Sequence, residues 1–240
     1  MLKVSDISVK YDSSGEYALK DISFTVQRGE RIAVIGANGA GKSTLLLALT
    51  GVLPCDSGEV AVENIVLEKK SLRELRKKMG MIFQNPDDQL FMPTVHEDIA
   101  FGPRNYGAPE HETETKTDEV LSRLNISHLK ERLPHKLSGG EKRLAALAGV
   151  LVMEPDLLLM DEPTSFLDPK ARRRLIGILE TLPQAMIVAT HDLDMALDLC
   201  QRVILLKEGR VYADAPAINV MRGAGLLEEC GLELPLSLQK

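Results

Sequence analysis

No apolar run in this chain approaches the roughly 20 residues that span a bilayer. A membrane-crossing helix is therefore not expected, and Met1-Leu2-Lys3 leads into a strand pattern rather than a signal peptide. Cysteine is scarce. Cys55, Cys200 and Cys230 have neither metal-ligand nor disulfide spacing, so reduced cytosolic thiols are the expectation. An excess of basic charge is missing as well: 29 Lys and Arg stand against 35 Asp and Glu, a net charge of -6. That balance makes nucleic acid a poor main partner. Basic blocks, low-complexity tracts and internal repeats are absent too. What remains is 44% hydrophobic and 27% charged over 240 residues. Such a chain can bury a real core, as one large domain or as a core with a subdomain.

The most informative stretch is Gly36-Ala37-Asn38-Gly39-Ala40-Gly41-Lys42-Ser43-Thr44. It fits G-x-x-x-x-G-K-[ST], the phosphate-binding loop, which requires a strand before it and a helix after it. Arg31 to Ile35 supplies the apolar strand, and Ser43 to Leu49 the helix. Glycines let successive backbone N–H groups face one point, and the helix beginning at Lys42 adds its free N–H groups and positive dipole end. Lys42 would reach the β- and γ-phosphates of a nucleotide, and the Ser43 hydroxyl would hold Mg²⁺. A chance match arises in roughly one chain per hundred at average composition, and the flanking pattern lowers that further.

Leu2 to Val9 and Leu19 to Val26 alternate apolar and polar, as strands with one wet face do. Gly58 to Val62, Met79 to Phe83, Leu157 to Met160 and Ala185 to Ala189 read as further strands. Arg202 to Leu206 and Arg210 to Tyr212 read as a hairpin around Glu208-Gly209. Ser71 to Lys78 is a short basic helix. From about Pro86 to Val152 the texture turns helical. Thr94-Val95-His96-Glu97 is a capping box, with Gly102-Pro103 expected to end its helix. His111 to Leu124 and Ser138 to about Met153 follow as helices. Pro169 to Glu180 and Asp192 to Leu199 alternate with the later strands. The pattern predicts an α/β fold with a largely parallel sheet. Its divisions would be 1–85 and 153–214 for the core, 86–152 for a helical insert and 215–240 for a weakly helical end.

Asp161-Glu162 closes an apolar strand beside the phosphate loop. Asp161 would offer Mg²⁺ an oxygen, and Glu162 could take a proton from an attacking water. With these residues in place the chain resembles the ATP-binding cassette family, the ATPase subunits of ABC transporters. Leu137-Ser138-Gly139-Gly140-Glu141 is similar to the family signature, although Glu141 stands where Gln is commonest. Gln84 falls at the Q-loop position, Ser165-Phe166-Leu167-Asp168 at the D-loop, His191 at the switch histidine, and Tyr11 where an aromatic stacks on adenine.

The resemblance implies a P-loop NTPase core with an N-terminal antiparallel β subdomain and an inserted helical subdomain. It implies ATP and Mg²⁺ as ligands, with Ser43, Gln84 and Asp161 around the metal and Glu162, His191 and Gln84 around the chemistry. It also implies that two chains pair head to tail, each signature, Ser138 to Glu141, closing on the other's ATP. The second chain would be another copy or a related ATPase. Several residues carry plainer alternatives. Ser138 with Glu141 is a capping box in its own right, and Tyr11 could simply cap the sheet edge. His96, His111, His128 and His135 match no motif.

Within the family, Phe83 to Phe91, Thr94 to Pro103 and Glu141-Lys142-Arg143 are similar to ATPases of energy-coupling-factor importers. That likeness implies integral membrane partners, a peripheral place on the cytoplasmic face of the membrane, and cobalt or nickel as the solute, with a vitamin as the alternative. Leu90, Phe91, Met92, Val95, Ile99 and Phe101 suit either a groove for a partner helix or the packing of the insert. A soluble ABC ATPase acting on DNA would carry long coiled-coil or zinc insertions, which this chain lacks. A P-loop kinase of a small metabolite would not need Leu137 to Glu141.

Overall fold

A computed structural model of the chain describes residues 1–11 and 15–239. Its strands are β1 (Leu2–Lys10), β2 (Tyr17–Val26), β3 (Arg31–Ile35), β4 (Ser57–Val62), β5 (Ile65–Val66), β6 (Met79–Ile82), β7 (Leu157–Asp161), β8 (Ala185–Ala189), β9 (Arg202–Lys207) and β10 (Arg210–Pro216). One sheet is antiparallel in the order β2-β1-β4-β5. The other runs β10-β9-β3-β8-β7-β6. Its strands are parallel except β10, which returns antiparallel along β9 as the predicted hairpin.

Strands β7 and β8 are buried along their whole length, which is why both read as unbroken apolar runs. Successive side chains of a strand point to opposite faces, so each face has its own core. Ile32, Val34, Leu157, Leu159 and Ile187 pack toward the antiparallel sheet and α1 (Lys42–Leu49). Ala33, Ile35, Leu158, Met160 and Val188 pack toward the helices on the opposite face. Each fully buried Leu or Ile contributes about 1.5–3 kcal/mol relative to exposure. Ile187→Asp would place an unpaired carboxylate in the inner layer.

After α2 (Leu72–Lys78), the chain between β6 and β7 is helical only: α3 (Val95–Asn105), α4 (Glu110–Arg123) and α5 (Gly139–Leu151). Thr94 caps α3, accepting the Glu97 N–H at 3.2 Å, but the expected capping box is only half formed, since the Glu97 carboxylate takes the Thr94 hydroxyl at 3.1 Å rather than its N–H. Gly102-Pro103 does not end that helix, which runs on to Asn105 with Pro103 buried inside it. A proline near a C-terminus forfeits one backbone bond, and its fixed φ is already helical. The Tyr106 and Ala108 N–H groups then close the end on the Gly102 and Pro103 carbonyls.

The six-residue apolar stretch divides between its two alternatives. Leu90, Val95 and Ile99 lie in the core, whereas Phe91 and Phe101 are exposed and meet edge to face at 4.9 Å. Met92 is half-buried.

Helices α6 (Pro169–Thr181) and α7 (Leu193–Leu199) alternate with β7, β8 and β9. The end of the chain, weakly patterned in sequence, forms α8 (Ala217–Met221) and α9 (Ala224–Glu229). It is held by the Asp194 carboxylate, which accepts the Leu236 and Ser237 N–H groups at 3.1 and 3.0 Å. All three cysteines are free. No helix of the described residues is long and apolar enough to cross a membrane.

Candidate nucleotide site

Strand β3 ends inside the six-stranded sheet, and its chain curls back through Gly36 to Gly41 before entering α1. Two glycines are there for want of space. A Cβ on Gly36 would stand 2.4 Å from the Leu206 carbonyl oxygen, and one on Gly41, at φ 103, would stand 2.7 Å from Leu19 Cδ2. The loop holds its own cation. Lys42 Nζ is nearly buried and donates to the Gly36 and Ala37 carbonyls at 2.7 and 3.2 Å. Burial lowers the Lys42 pKa, while the Glu162 and Asp161 carboxylates work against that shift.

Asp161 closes β7, two sheet positions from β3. Burial raises its carboxyl above the usual range and neighbouring Glu162 adds to the effect, while a hydrogen bond from the Ser43 side chain opposes them. Its Oδ1 is buried without a hydrogen-bond partner. An orphaned anionic oxygen beside a serine hydroxyl fits a hard divalent cation. Among the described residues no three His, Cys, Asp or Glu converge as metal ligands. Mg²⁺ suits such a place, because phosphates and water supply most of its shell and one or two protein oxygens suffice.

Glu162 sits in the left-handed region at φ 45, which aims its side chain across the strand ends toward β8. Its Oε2 accepts the Thr190 hydroxyl at 3.1 Å and the His191 N–H at 3.2 Å, and lies 2.8 Å from His191 Nδ1. The His191 ring itself is exposed. Behind it Asp192 caps α7 and accepts Arg172 through both carboxylate oxygens at 2.6 and 2.8 Å. That fork, with Thr164 at 3.1 Å, fixes the turn carrying His191.

Tyr11, Asn38, Gly39, Gly41, Lys42, Ser43, Thr44, Gln84, Glu162 and His191 line one cleft of about 500 Å³. Gly36, Ala37 and Ala40 do not line it: Gly36 and Ala40 are buried and Ala37 is half-buried. Tyr11 is exposed at the lip, and its hydroxyl bonds to Thr44 Oγ1 at 2.6 Å. Gln84 follows β6 with its side chain open, while its carbonyl is held by Arg143.

Ser138, Gly140, Glu141 and Asp168 lie in a second cleft, of about 170 Å³, which shares no lining residue with the first. The signature and the phosphate loop of one chain are thus separate. Ser138 caps α5, and Gly140 lets that helix approach α6, where a Cβ would stand 3.0 Å from Ala171 Cβ. Glu141 Oε2 accepts both the Ser138 N–H at 2.8 Å and the Ser138 hydroxyl at 2.7 Å. Those bonds hold the Glu141 carboxyl below its ordinary range. Asp168 caps α6 by accepting the Lys170 and Ala171 N–H groups at 2.8 and 2.9 Å.

Two contributors escape sequence reasoning. Thr190 is one, its only signal being a polar residue at the end of β8. The hold exerted by Arg143, noted in sequence only within the Glu141-Lys142-Arg143 likeness, is the other. Arg143 is 2% exposed within an apolar helix and donates to the Phe83 and Gln84 carbonyls, both at 2.6 Å. Desolvation lowers its pKa to about 10, with Asp161 opposing. A single buried arginine therefore ties the signature helix to the strand end carrying Gln84.

Comparisons with known proteins agree with this geometry. Residues 19–165 match the ABC transporter family. An ABC transporter ATP-binding protein of Geobacter sulfurreducens is 48% identical, across 100% of this chain and 96% of that protein. The energy-coupling factor transporter ATP-binding protein EcfA of Methanothermobacter thermautotrophicus is 43% identical, across 98% and 77%. Among solved structures, cbiO1 of Clostridium perfringens, part of the ABC transporter complex cbiONQ, superposes with a TM-score of 0.84 at 39% identity, covering 95% of this chain and 93% of that one. The dimeric bacterial ABC transporter cassette MJ0796 superposes with a TM-score of 0.81 at 27% identity, covering 90% and 99%. The chain belongs to the ATP-binding cassette family, as an ATPase subunit that works with ATP and Mg²⁺, in pairs and beside membrane subunits.

Proposed function

We propose that this chain powers an importer of the energy-coupling-factor type, from the cytoplasmic face of the membrane, with cobalt or nickel as the solute. A vitamin is the alternative solute. The likenesses to EcfA and cbiO1 support the importer type. The exposed Phe91–Phe101 pair, a few residues beyond Gln84, supports a short apolar helix of a membrane subunit docking there.

Within the cleft each residue has a role that its chemistry suits. The N–H groups of Gly36 to Thr44 and the Lys42 ammonium bind the β- and γ-phosphates. Tyr11 stacks on the base. Ser43, Asp161 and Gln84 would hold Mg²⁺, which would neutralise charge on the phosphates. Glu162 accepts a proton from the water whose oxygen attacks the γ-phosphorus, as the bond to ADP breaks. His191, braced by Asp192 and Arg172, orients that water and the γ-phosphate. Ser138 to Glu141 of the second chain complete the site, and Asp168 fixes the turn between Glu162 and α6.

The observation that carries this reading is Glu162, held by Thr190 and His191 in the cleft that Lys42 lines. Glu162→Gln keeps the size and the hydrogen bonds but cannot take the proton. Hydrolysis is expected to fall about 10²–10⁴-fold with ATP binding retained, measured by phosphate release and by equilibrium binding. Turnover within severalfold of the parent would remove Glu162 from this role. Copurification of an apolar membrane protein in detergent tests the transporter role.

A further inference from the structure

The phosphate loop has two sides. One faces the cleft, and the other faces the end of the chain. Past α9 the chain turns at Gly231, which sits at φ 69, a left-handed conformation that favours glycine. The Gly231 N–H donates to the Glu228 carbonyl and the Leu232 N–H to the Leu227 carbonyl, both at 2.9 Å. Glycine turns of this kind commonly end helices. This one aims residue 231 at the phosphate loop. A Cβ on Gly231 would stand 3.5 Å from Ala37 Cβ, an ordinary van der Waals distance. The Ala37 carbonyl in turn accepts from Lys42 Nζ.

The segment that makes this approach is fixed on both sides. Before it, Val220, Met221, Leu227 and Cys230 are buried in the same apolar layer as Ala33 and Ile35, on the strand that enters the loop. After it, the Asp194 carboxylate, in the first turn of α7, clips the Leu236 and Ser237 N–H groups. Between the two anchors Leu232 and Leu234 are half-buried and pack against that layer. Residues 231–237 thus form a strap across the far side of the loop. Close-packed surroundings transmit a displacement rather than absorb it, so whatever shifts the strap shifts Ala37.

We propose that residues 231–237 position the phosphate loop, with Asp194 as their clip. The strap fixes Ala37 and, through its carbonyl, holds Lys42 where the ammonium meets the β- and γ-phosphates. It lines neither the nucleotide cleft nor the signature cleft, so Gly231 and Asp194 are positioning residues. The strap matters only if Gly36 to Thr44 grip phosphate, and it rests on that reading.

The experiment uses the whole chain. Affinity for ATP and for ADP is read by equilibrium binding, and kcat by phosphate release at saturating ATP, all well below the melting temperature of each variant. Asp194→Ala removes the acceptor of both N–H groups. It is expected to weaken ATP and ADP alike by about tenfold, by analogy with the outer supports of metal ligands. The kcat should stay within about twofold of the parent, the pattern of lost uniform binding, because Glu162 and His191 keep their supports in Thr190, Asp192 and Arg172. Asp194→Asn keeps one acceptor oxygen and should recover part of the affinity. Gly231→Val should reproduce the loss from the other end of the strap, since a β-branched residue resists the left-handed turn. Gly231→Asn, which tolerates that turn, should bind as the parent does. If Asp194→Ala and Gly231→Val melt earlier yet bind ATP like the parent, the strap is packing alone and the proposal is overturned. A fall in kcat with affinity unchanged would place the effect at His191 and overturn it as well. Lys42→Ala binding ATP as tightly as the parent would instead overturn the phosphate grip itself.

Discussion

The two helix N-termini proposed to bind phosphate, at α1 and α5, are prepared in opposite ways. At α1 the cap is Gly41, with no side chain over the helix end and no acidic residue in the first turn. Its cation, Lys42, is already folded onto the loop. At α5 the cap is Ser138, and the end is already occupied by an anion of its own, since Glu141 takes both the N–H and the hydroxyl proton of Ser138. The first end is an open anion site complete within one chain. The second is a filled one, so in the proposed pairing a γ-phosphate would compete with a carboxylate. A signature motif can therefore be fully folded and still unready, which suits a contact that should form only when ATP and a second chain arrive together.

The sharpest way to break this comparison is to damage each end separately. Lys42→Ala removes a charge from the self-sufficient site. It should cost the isolated chain roughly 1.5–3 kcal/mol of ATP affinity, the range for hydrogen bonds to a charged group. Ser138→Ala should leave that affinity intact and weaken only the ATP-driven pairing of Glu162→Gln protein. Equilibrium binding at low protein concentration distinguishes the two. If Ser138→Ala lowered ATP affinity in the single chain as much as Lys42→Ala, the ends would not be independent.

Tyr11 sharpens the first end on its base side. Tyr11→Ala should lose about 1–2 kcal/mol of ATP affinity, by analogy with base stacking on aromatics. From sequence, stacking needs the ring and not the hydroxyl. The structure gives the hydroxyl a partner in Thr44 at 2.6 Å, so Tyr11→Phe should cost about 0.5–1 kcal/mol by loosening the ring. Calorimetric titration of both variants checks the order, and equal losses would refute stacking as the main contribution.

The two acidic residues nearest these ends, Asp161 and Glu141, differ in the same sense. Asp161 has a buried oxygen with no partner and a raised pKa, so the ionised carboxylate destabilises the unliganded fold at neutral pH. That penalty lessens as pH falls through its folded pKa. Asp161→Asn should therefore raise the melting temperature without nucleotide, by a few degrees for about 1 kcal/mol, while abolishing Mg²⁺-dependent hydrolysis. A lowered melting temperature would show that the carboxylate has a stabilising partner.

Much of this was legible in residue order, for physical reasons. Gly36 is forced by a backbone contact under 3 Å and Gly41 by its left-handed φ of 103, and such steric demands leave a fixed spacing. The two cores are written as unbroken apolar runs in β3 and β7, because both faces of those strands are buried. Other features had no local signal. The Arg143 bonds to Phe83 and Gln84 span about sixty residues, and nothing near either strand end announces them. Pro103 looked like a stop because the rule against proline concerns the helix interior, whereas here the last turn absorbs it. The end of the chain has no strong periodicity. Its helices are short, and their hold comes from distant Asp194.

The smallest expected effect tests the filled helix end directly. Glu141→Gln keeps a side chain that can accept the Ser138 N–H and close the capping box, so the start of α5 should hold, with the melting temperature falling by at most about two degrees. What it removes is one negative charge at a helix N-terminus, worth about 0.3–1 kcal/mol at an exposed position. The carboxylate now occupies the positive end of the helix dipole, and a γ-phosphate from the second chain must displace or tolerate it. With the charge gone that cost disappears, and the Ser138 hydroxyl is freer to turn its proton to the phosphate. In the Glu162→Gln background, Glu141→Gln should therefore tighten the ATP-driven pair about two- to fivefold. It should also flatten the dependence of pairing on salt, since one like-charge repulsion is no longer there to be screened. ATP affinity of the single chain should not move, because the two clefts share no residue. Pairing that weakens while the melting temperature holds would mean that Glu141 contacts the second chain favourably, and that α5 is primed by its carboxylate rather than blocked by it.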